Sequence, residues 1–234
     1  MNFLKNLLSK DREAGNEKPV SSTSQHYAQK GRENLDLSWT ILNSTDNWRV
    51  EKTTADGITV YSKHLPGVGK IFKLSSEIDY PPKELLNVIC RNAENIPKWN
   101  PSVIESRVIE KVDEHTEVHY QAVGIASGLL SGRDFVNIRR LGMKDGAYIS
   151  SGVSTEHPAA PPLRKYIRAE NGPNCWVFRP IPGKTDRCNF EFLSNINLKG
   201  WLPQYLVDSA MSSGMVDTVK YIREYVHKMK QQED

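Results

Sequence analysis

Apolar residues recur along this chain at two spacings, and the switches between them mark out its elements. Over residues 25–44, Ala28, Leu35, Trp39 and Leu42 share one helical face. Alternation then sets in. Residues 48–52 and 58–63 alternate apolar and polar positions around Asp56-Gly57, a hairpin signal, and residues 68–78 supply a third strand. Tyr80-Pro81-Pro82 stops it, and residues 83–91 start a helix with Leu85, Leu86 and Ile89 inside. Beyond Trp99-Asn100-Pro101 come strand-like runs at 104–112, 117–123, 134–140, 147–154, 165–170, 175–180 and 189–196, spaced as an antiparallel meander. After Pro203 the helical period returns in Val207, Met211, Met215, Val219, Ile222, Val226 and Met229. The order predicts an α+β domain that closes on one long C-terminal helix.

The first ten residues put Phe3, Leu4, Leu7 and Leu8 on one stripe, which reads either as a frayed tail or as a weak membrane-touching helix. Asp11, Glu13 and Glu17 argue against an acid-poor mitochondrial transit peptide. With the polar stretch 16–24 read as linker, the expected division is a flexible tail over 1–24 and one folded domain over 25–234.

Composition narrows the function more by exclusion than by suggestion. The chain has 234 residues, enough for a sizeable core, and 31 Lys and Arg against 28 Asp and Glu. A net charge of +3 without a basic run does not predict nucleic-acid binding. Three cysteines, Cys90, Cys175 and Cys188, without CxxC spacing predict neither a disulfide framework nor a zinc site, and favour a reducing compartment. No apolar run is long enough for a membrane span. The six histidines do not pair with carboxylates or cysteines at metal-ligand spacing, and no GxSxG, HExxH, Walker or GxGxxG pattern occurs. The expectation is a soluble cytoplasmic monomer with no cofactor, no metal and no catalytic residues.

More specific are the runs 132–140 (GRDFVNIRR), 148–152 (YISSG), 98–101 (KWNP), 166–173 (YIRAENGP) and 198–203 (LKGWLP). Together they resemble the START family of lipid-transfer domains over residues 25–229, and within it the subgroup that carries sterols or carotenoids. The resemblance implies a helix-grip fold, a curved antiparallel sheet wrapped around the C-terminal helix with one lipid between them. It implies a non-enzymatic carrier of one sterol or carotenoid that touches membranes transiently, at Lys199, Trp201 and the N-terminal stripe. A thioesterase- or cyclase-like enzyme using the same cavity and a ligand-gated interaction module are the competing readings.

For the site, strand parity places Phe135, Asn137 and Arg139 on one face. An inward Arg139 is a permanent cation in an apolar space and needs partners. In the family an acid on the neighbouring strand supplies them; aligning this chain puts Gln121 or Tyr120 at that position, so the acid is expected to be missing. Arg139, with Gln121 and Ser150, then anchors the polar end of the lipid, unless another carboxylate claims the guanidinium. Ile96, Trp99 and Asn100 match positions near the cavity, although Trp99 reads equally as plain core. On the last helix, Val207, Met211, Gly214 and Thr218 would face the ligand, with Gly214 serving either ligand room or close helix-strand packing. The proline-stiffened run 156–163, with Glu156, Pro158, Pro161, Pro162 and Leu163, matches the family's entrance loop, hinged near Thr155 and Arg164.

Overall fold

The computed structural model describes residues 21–124 and 131–233, so the stripe expected over residues 1–10 lies outside the described residues. Helix α1 (Ser22–Asn43) starts where Ser21 Oγ accepts the Ser24 backbone N–H at 3.0 Å. The last three residues of the expected linker are therefore its first turn. Three strands follow: β1 (Arg49–Thr53), β2 (Thr59–Leu65) and β3 (Gly69–Ile78). The β1–β2 turn uses Gly57 at φ 85°, which Asp56-Gly57 foreshadowed.

The helix expected over 83–91 is split. A short α2 (Pro82–Leu86) passes into a π turn, Asn87–Arg91, whose wider winding leaves the adjacent Ile89 and Cys90 both buried. Helix α3 (Ile96–Trp99) leads into β4 (Val103–Lys111), β5 (Thr116–Val123), β6 (Arg133–Lys144) and β7 (Ala147–Ser154). The run expected as one strand over 165–170 forms only β8 (Ile167–Arg168) and β9 (Glu170–Asn171). Arg168 grips Asp134 of β6 there through two bonds of 2.9 Å. Then come β10 (Asn174–Ile181), β11 (Lys184–Ser194), β12 (Ile196–Asn197) and the 30-residue helix α4 (Gln204–Glu233).

The sheet is antiparallel but not a simple meander. Its order is β1-β2-β3-β11-β10-β7-β6-β5-β4, with β8 parallel to β6 and β12 paired to β9 apart from it. The junction of β3 with β11 joins the early strands to the late hairpin, a long-range pairing that local alternation does not encode.

Alternation sorts the side chains onto two faces. On one, α1 packs Leu35, Ile41 and Leu42 against Ile71, Ile149, Val177 and Leu193, and Tyr27 against Val118, Val136 and Ile138. The approach is close: a Cβ on Gly31 would sit 3.2 Å from Ile138 Cγ2. On the other face, Met215, Val216, Val219, Ile222 and Val226 of α4 pack with Leu74, Ile78, Leu85, Phe178 and Phe190. This curved antiparallel sheet gripping a C-terminal helix is the helix-grip architecture.

Candidate functional site

Packing between sheet and α4 is incomplete. Toward the start of the helix the two stand apart around a cavity of about 580 Å³. Strand β6 sends Arg133, Phe135, Asn137 and Arg139 into it, β5 sends His119, Gln121 and Val123, and β7 sends Ser150 and Gly152. Val207, Met211, Gly214 and Thr218 of α4 line the opposite wall, and Ile96 lies beneath. A Cβ at Gly214 or Gly152 would meet no heavy atom within 4 Å, so neither glycine serves close packing.

Three residues expected at the cavity lie elsewhere. Trp99 is core, its ring centroid 6.0 Å from that of Trp176. Asn100 is buried and spends Oδ1 on the Ser102 N–H and hydroxyl, at 3.1 and 2.7 Å, stabilising the turn into β4. Tyr120 points to the opposite face, among Tyr27, Val118, Ala122 and Ala160, because it lies one residue out of phase with His119 and Gln121.

The expected entrance loop is also misplaced. Residues 156–163 lie over the α1 side of the sheet, where Ala160 is buried with Tyr27, the Tyr27 hydroxyl donates to Glu156 O at 3.0 Å, and His157 pairs with Glu110. Arg168 donates to Ala160 O and Pro161 O. None of Glu156, Pro158, Pro161, Pro162 or Leu163 lines the cavity. Its rim is formed instead by Val123 and Gly124 at the end of β5 and by Leu198, Leu202 and Leu206 before and within α4.

Arg133 ties these rim segments together. Only 2% exposed, its guanidinium donates to Ser131 O, Leu198 O and Lys199 O, and no carboxylate pairs with it among the described residues. Lys199 and Gly200 take left-handed backbone, φ 52° and 76°, and beyond them Trp201 projects almost wholly into solvent, at 94% exposure.

At the far end of β6 the polar groups gather. The acid expected to be missing is present: Glu117 lies directly opposite Arg139 in the β5–β6 register and accepts from its Nη2 at 2.5 Å. Gln121 is opposite Phe135, four residues along the strand, so it faces the cavity without meeting Arg139. The pair neutralises the cation, leaving Arg139 Nε buried without an acceptor and Nη1 unbonded among the described residues. Cys90 borders the same region, its thiol pushed up to about 11 by burial against a smaller opposing effect of Arg139.

His119 is the group sequence reasoning passed over. Between Glu117 and Gln121 on β5, it shares their parity and therefore the face of Arg139, the one signal that identifies it. Burial, reinforced by the Arg139 charge, holds its imidazole well below the usual range. The unfolded chain therefore takes up this proton more readily than the folded one, so the stability involved is complete above about pH 6.5 and falls as the pH drops below it. Unfolding free energies measured between about pH 7 and pH 5 should decline with acid, and His119→Phe should flatten the slope. An unchanged slope in the variant would contradict this.

Together these features describe a sheet-and-helix domain with a largely apolar chamber between sheet and helix, its hydrogen-bonding groups densest around Arg139. The START domain model matches residues 29–232, and the chain belongs to that family. It is 35% identical to the steroidogenic acute regulatory protein, mitochondrial, of Gallus gallus over 209 residues, covering 89% of this chain and 74% of the relative. The Danio rerio protein of the same name is 34% identical over 209 residues, covering 89% and 73%. The solved structure of human StAR-related lipid transfer protein 5 superposes with a TM-score of 0.81 at 21% identity, covering 88% of this chain and 99% of that one.

Proposed function

We propose that this protein is a non-enzymatic lipid carrier that holds one sterol in the chamber and exchanges it at membrane surfaces, acting as a cytoplasmic monomer. The observation that carries the reading is the cavity of about 580 Å³ itself, lined mainly by apolar side chains, with His119, Asn137 and the Arg139–Glu117 pair grouped at one end and Arg133 held by backbone carbonyls at the other. From Arg133 to Arg139, six residues of β6 at strand rise give about 20 Å, a run suited to a rigid ring system with its polar group at the Arg139 end. A carotenoid is longer than that run and would have to project through the rim. Names of the relatives point the same way, since steroidogenesis concerns sterol-derived lipids.

Chemistry beyond binding finds little support here. Cys90 is protonated at neutral pH, and Ser106, the hydroxyl beside His119 Nε2, gives its proton to Ala93 O and is not among the residues that line the cavity. Exchange needs contact with a bilayer, and Trp201 and Tyr205, 94% and 71% exposed, stand with Lys199 beside the rim. No helix among the described residues is long and apolar enough to cross a membrane.

The test is mass spectrometry of lipid extracted from the purified protein, combined with displacement of a fluorescent sterol. One sterol bound per chain and saturable displacement are expected. Visible absorption bands would identify a carotenoid instead, and failure of any apolar lipid to bind would end the carrier reading.

A further inference from the structure

We infer that His119 is the specificity residue of the chamber: it accepts the proton of a ligand hydroxyl, so the protein selects lipid alcohols over the matching ketones and esters. The inference rests on the carrier reading and adds the chemical class of the ligand's polar group.

The assignment follows from one chain of hydrogen bonds. Ser106 Oγ lies 2.6 Å from Ala93 O and 2.8 Å from His119 Nε2. A carbonyl only accepts, so the single Ser106 hydroxyl proton goes to Ala93, and Ser106 Oγ must accept from His119 Nε2–H. The imidazole is neutral, as its burial beside Arg139 requires, and Nδ1 is then an acceptor. Among the described residues Nδ1 carries no hydrogen bond, and the ring lines the cavity.

Apart from the Glu117 carboxylate, which is held on Arg139, the side chains across the strand from it are donors. Arg139 keeps Nη1 after giving Nη2 to Glu117. Asn137 accepts the Ser154 hydroxyl at Oδ1, which turns its amide nitrogen toward other partners. A hydroxyl matches this arrangement because it accepts from a donor and donates to Nδ1 at once. A ketone or ester oxygen only accepts, and would leave Nδ1 facing a lone pair or an unfilled space. A carboxylate gains little, because Glu117 already balances the Arg139 charge. The tautomer is set by Ser106 and Ala93, outside the ligand's reach, so the selectivity is built in before the ligand arrives.

The experiment compares cholestanol with cholestanone, identical but for the oxygen function, in displacement titrations. The wild-type protein should prefer the alcohol by about tenfold or more. His119→Phe should erase the preference by weakening the alcohol alone. His119→Asn, whose Oδ1 takes the place of Nδ1, should keep most of it, whereas Ser106→Ala, which frees the tautomer, should reduce it. Equal wild-type affinities, or an undiminished preference in a folded His119→Phe, would overturn the inference while leaving the carrier reading intact. Binding of neither lipid would sink both. Should His119→Phe fail to fold, the other two variants decide: preference lost in His119→Asn and kept in Ser106→Ala overturns the assignment.

Discussion

Replacing Arg139 with methionine should remove most of the affinity for lipid and lower stability by about 3 kcal/mol, the low end for breaking a buried ion pair from one side. The loss comes mainly from what stays behind. Glu117 is 19% exposed and Arg139 10%, so the carboxylate would face an apolar chamber with little water to replace the guanidinium. Residual exposure of Glu117 keeps the penalty from the upper end. A double variant, Arg139→Met with Glu117→Leu, removes both charges and should recover most of the stability, since well-packed apolar pairs often replace buried ion pairs without cost. It should not recover binding. Denaturant unfolding and sterol titration on the three proteins separate the two effects. Wild-type affinity in the double variant would take Arg139 out of the ligand's surroundings altogether.

Gly214→Leu should also block binding but spare the fold. No heavy atom lies within 4 Å of the Cβ position, so the new side chain enters open space on a helix where leucine is also the better helix former, by up to about 0.8 kcal/mol. It would occupy room the ligand uses, and overpacking of about 1–3 kcal/mol translates into roughly a tenfold to hundredfold loss of affinity. Gly31→Leu is the contrast: its Cβ would meet Ile138 Cγ2 at 3.2 Å, so it should destabilise the protein while leaving the chamber's lining unaltered. A melting temperature that collapses in Gly214→Leu and holds in Gly31→Leu would invert this account of where the molecule is full and where it is hollow.

Much of the architecture was legible in the sequence because side-chain alternation and helical periodicity are local. Asp56-Gly57, Pro81-Pro82 and Pro203 mark real boundaries, and parity put Phe135, Asn137 and Arg139 on one common face, which the structure turns toward the cavity. What was not legible depends on pairings between distant segments. The register that puts Glu117 rather than Gln121 or Tyr120 against Arg139 is fixed by how β5 meets β6, and parity counted from the wrong residue turns the whole strand over. The 156–163 loop misled for a related reason. Its prolines announce an ordered excursion, but only the contacts with Tyr27, Glu110 and Arg168 show on which side of the sheet it rests. His119 went unnoticed because a single histidine on a strand carries no pattern; only its neighbours in space give it a role.

The long C-terminal helix is unevenly anchored. From Met215 to Val226 it presses a dense apolar row into the core, whereas Gln204, Tyr205, Leu206, Ser209 and Ala210 near its start are exposed. Its early hold is sparser, Val207 and Met211 being joined by polar contacts from Asp208 to Lys70 at 2.7 Å and from Ser213 to Lys52 at 3.0 Å. Such a helix need not swing as a rod to admit cargo. Opening confined to its first turns would leave the row from Met215 to Val226 packed, so admitting cargo at that end would not require the whole helix to leave the core.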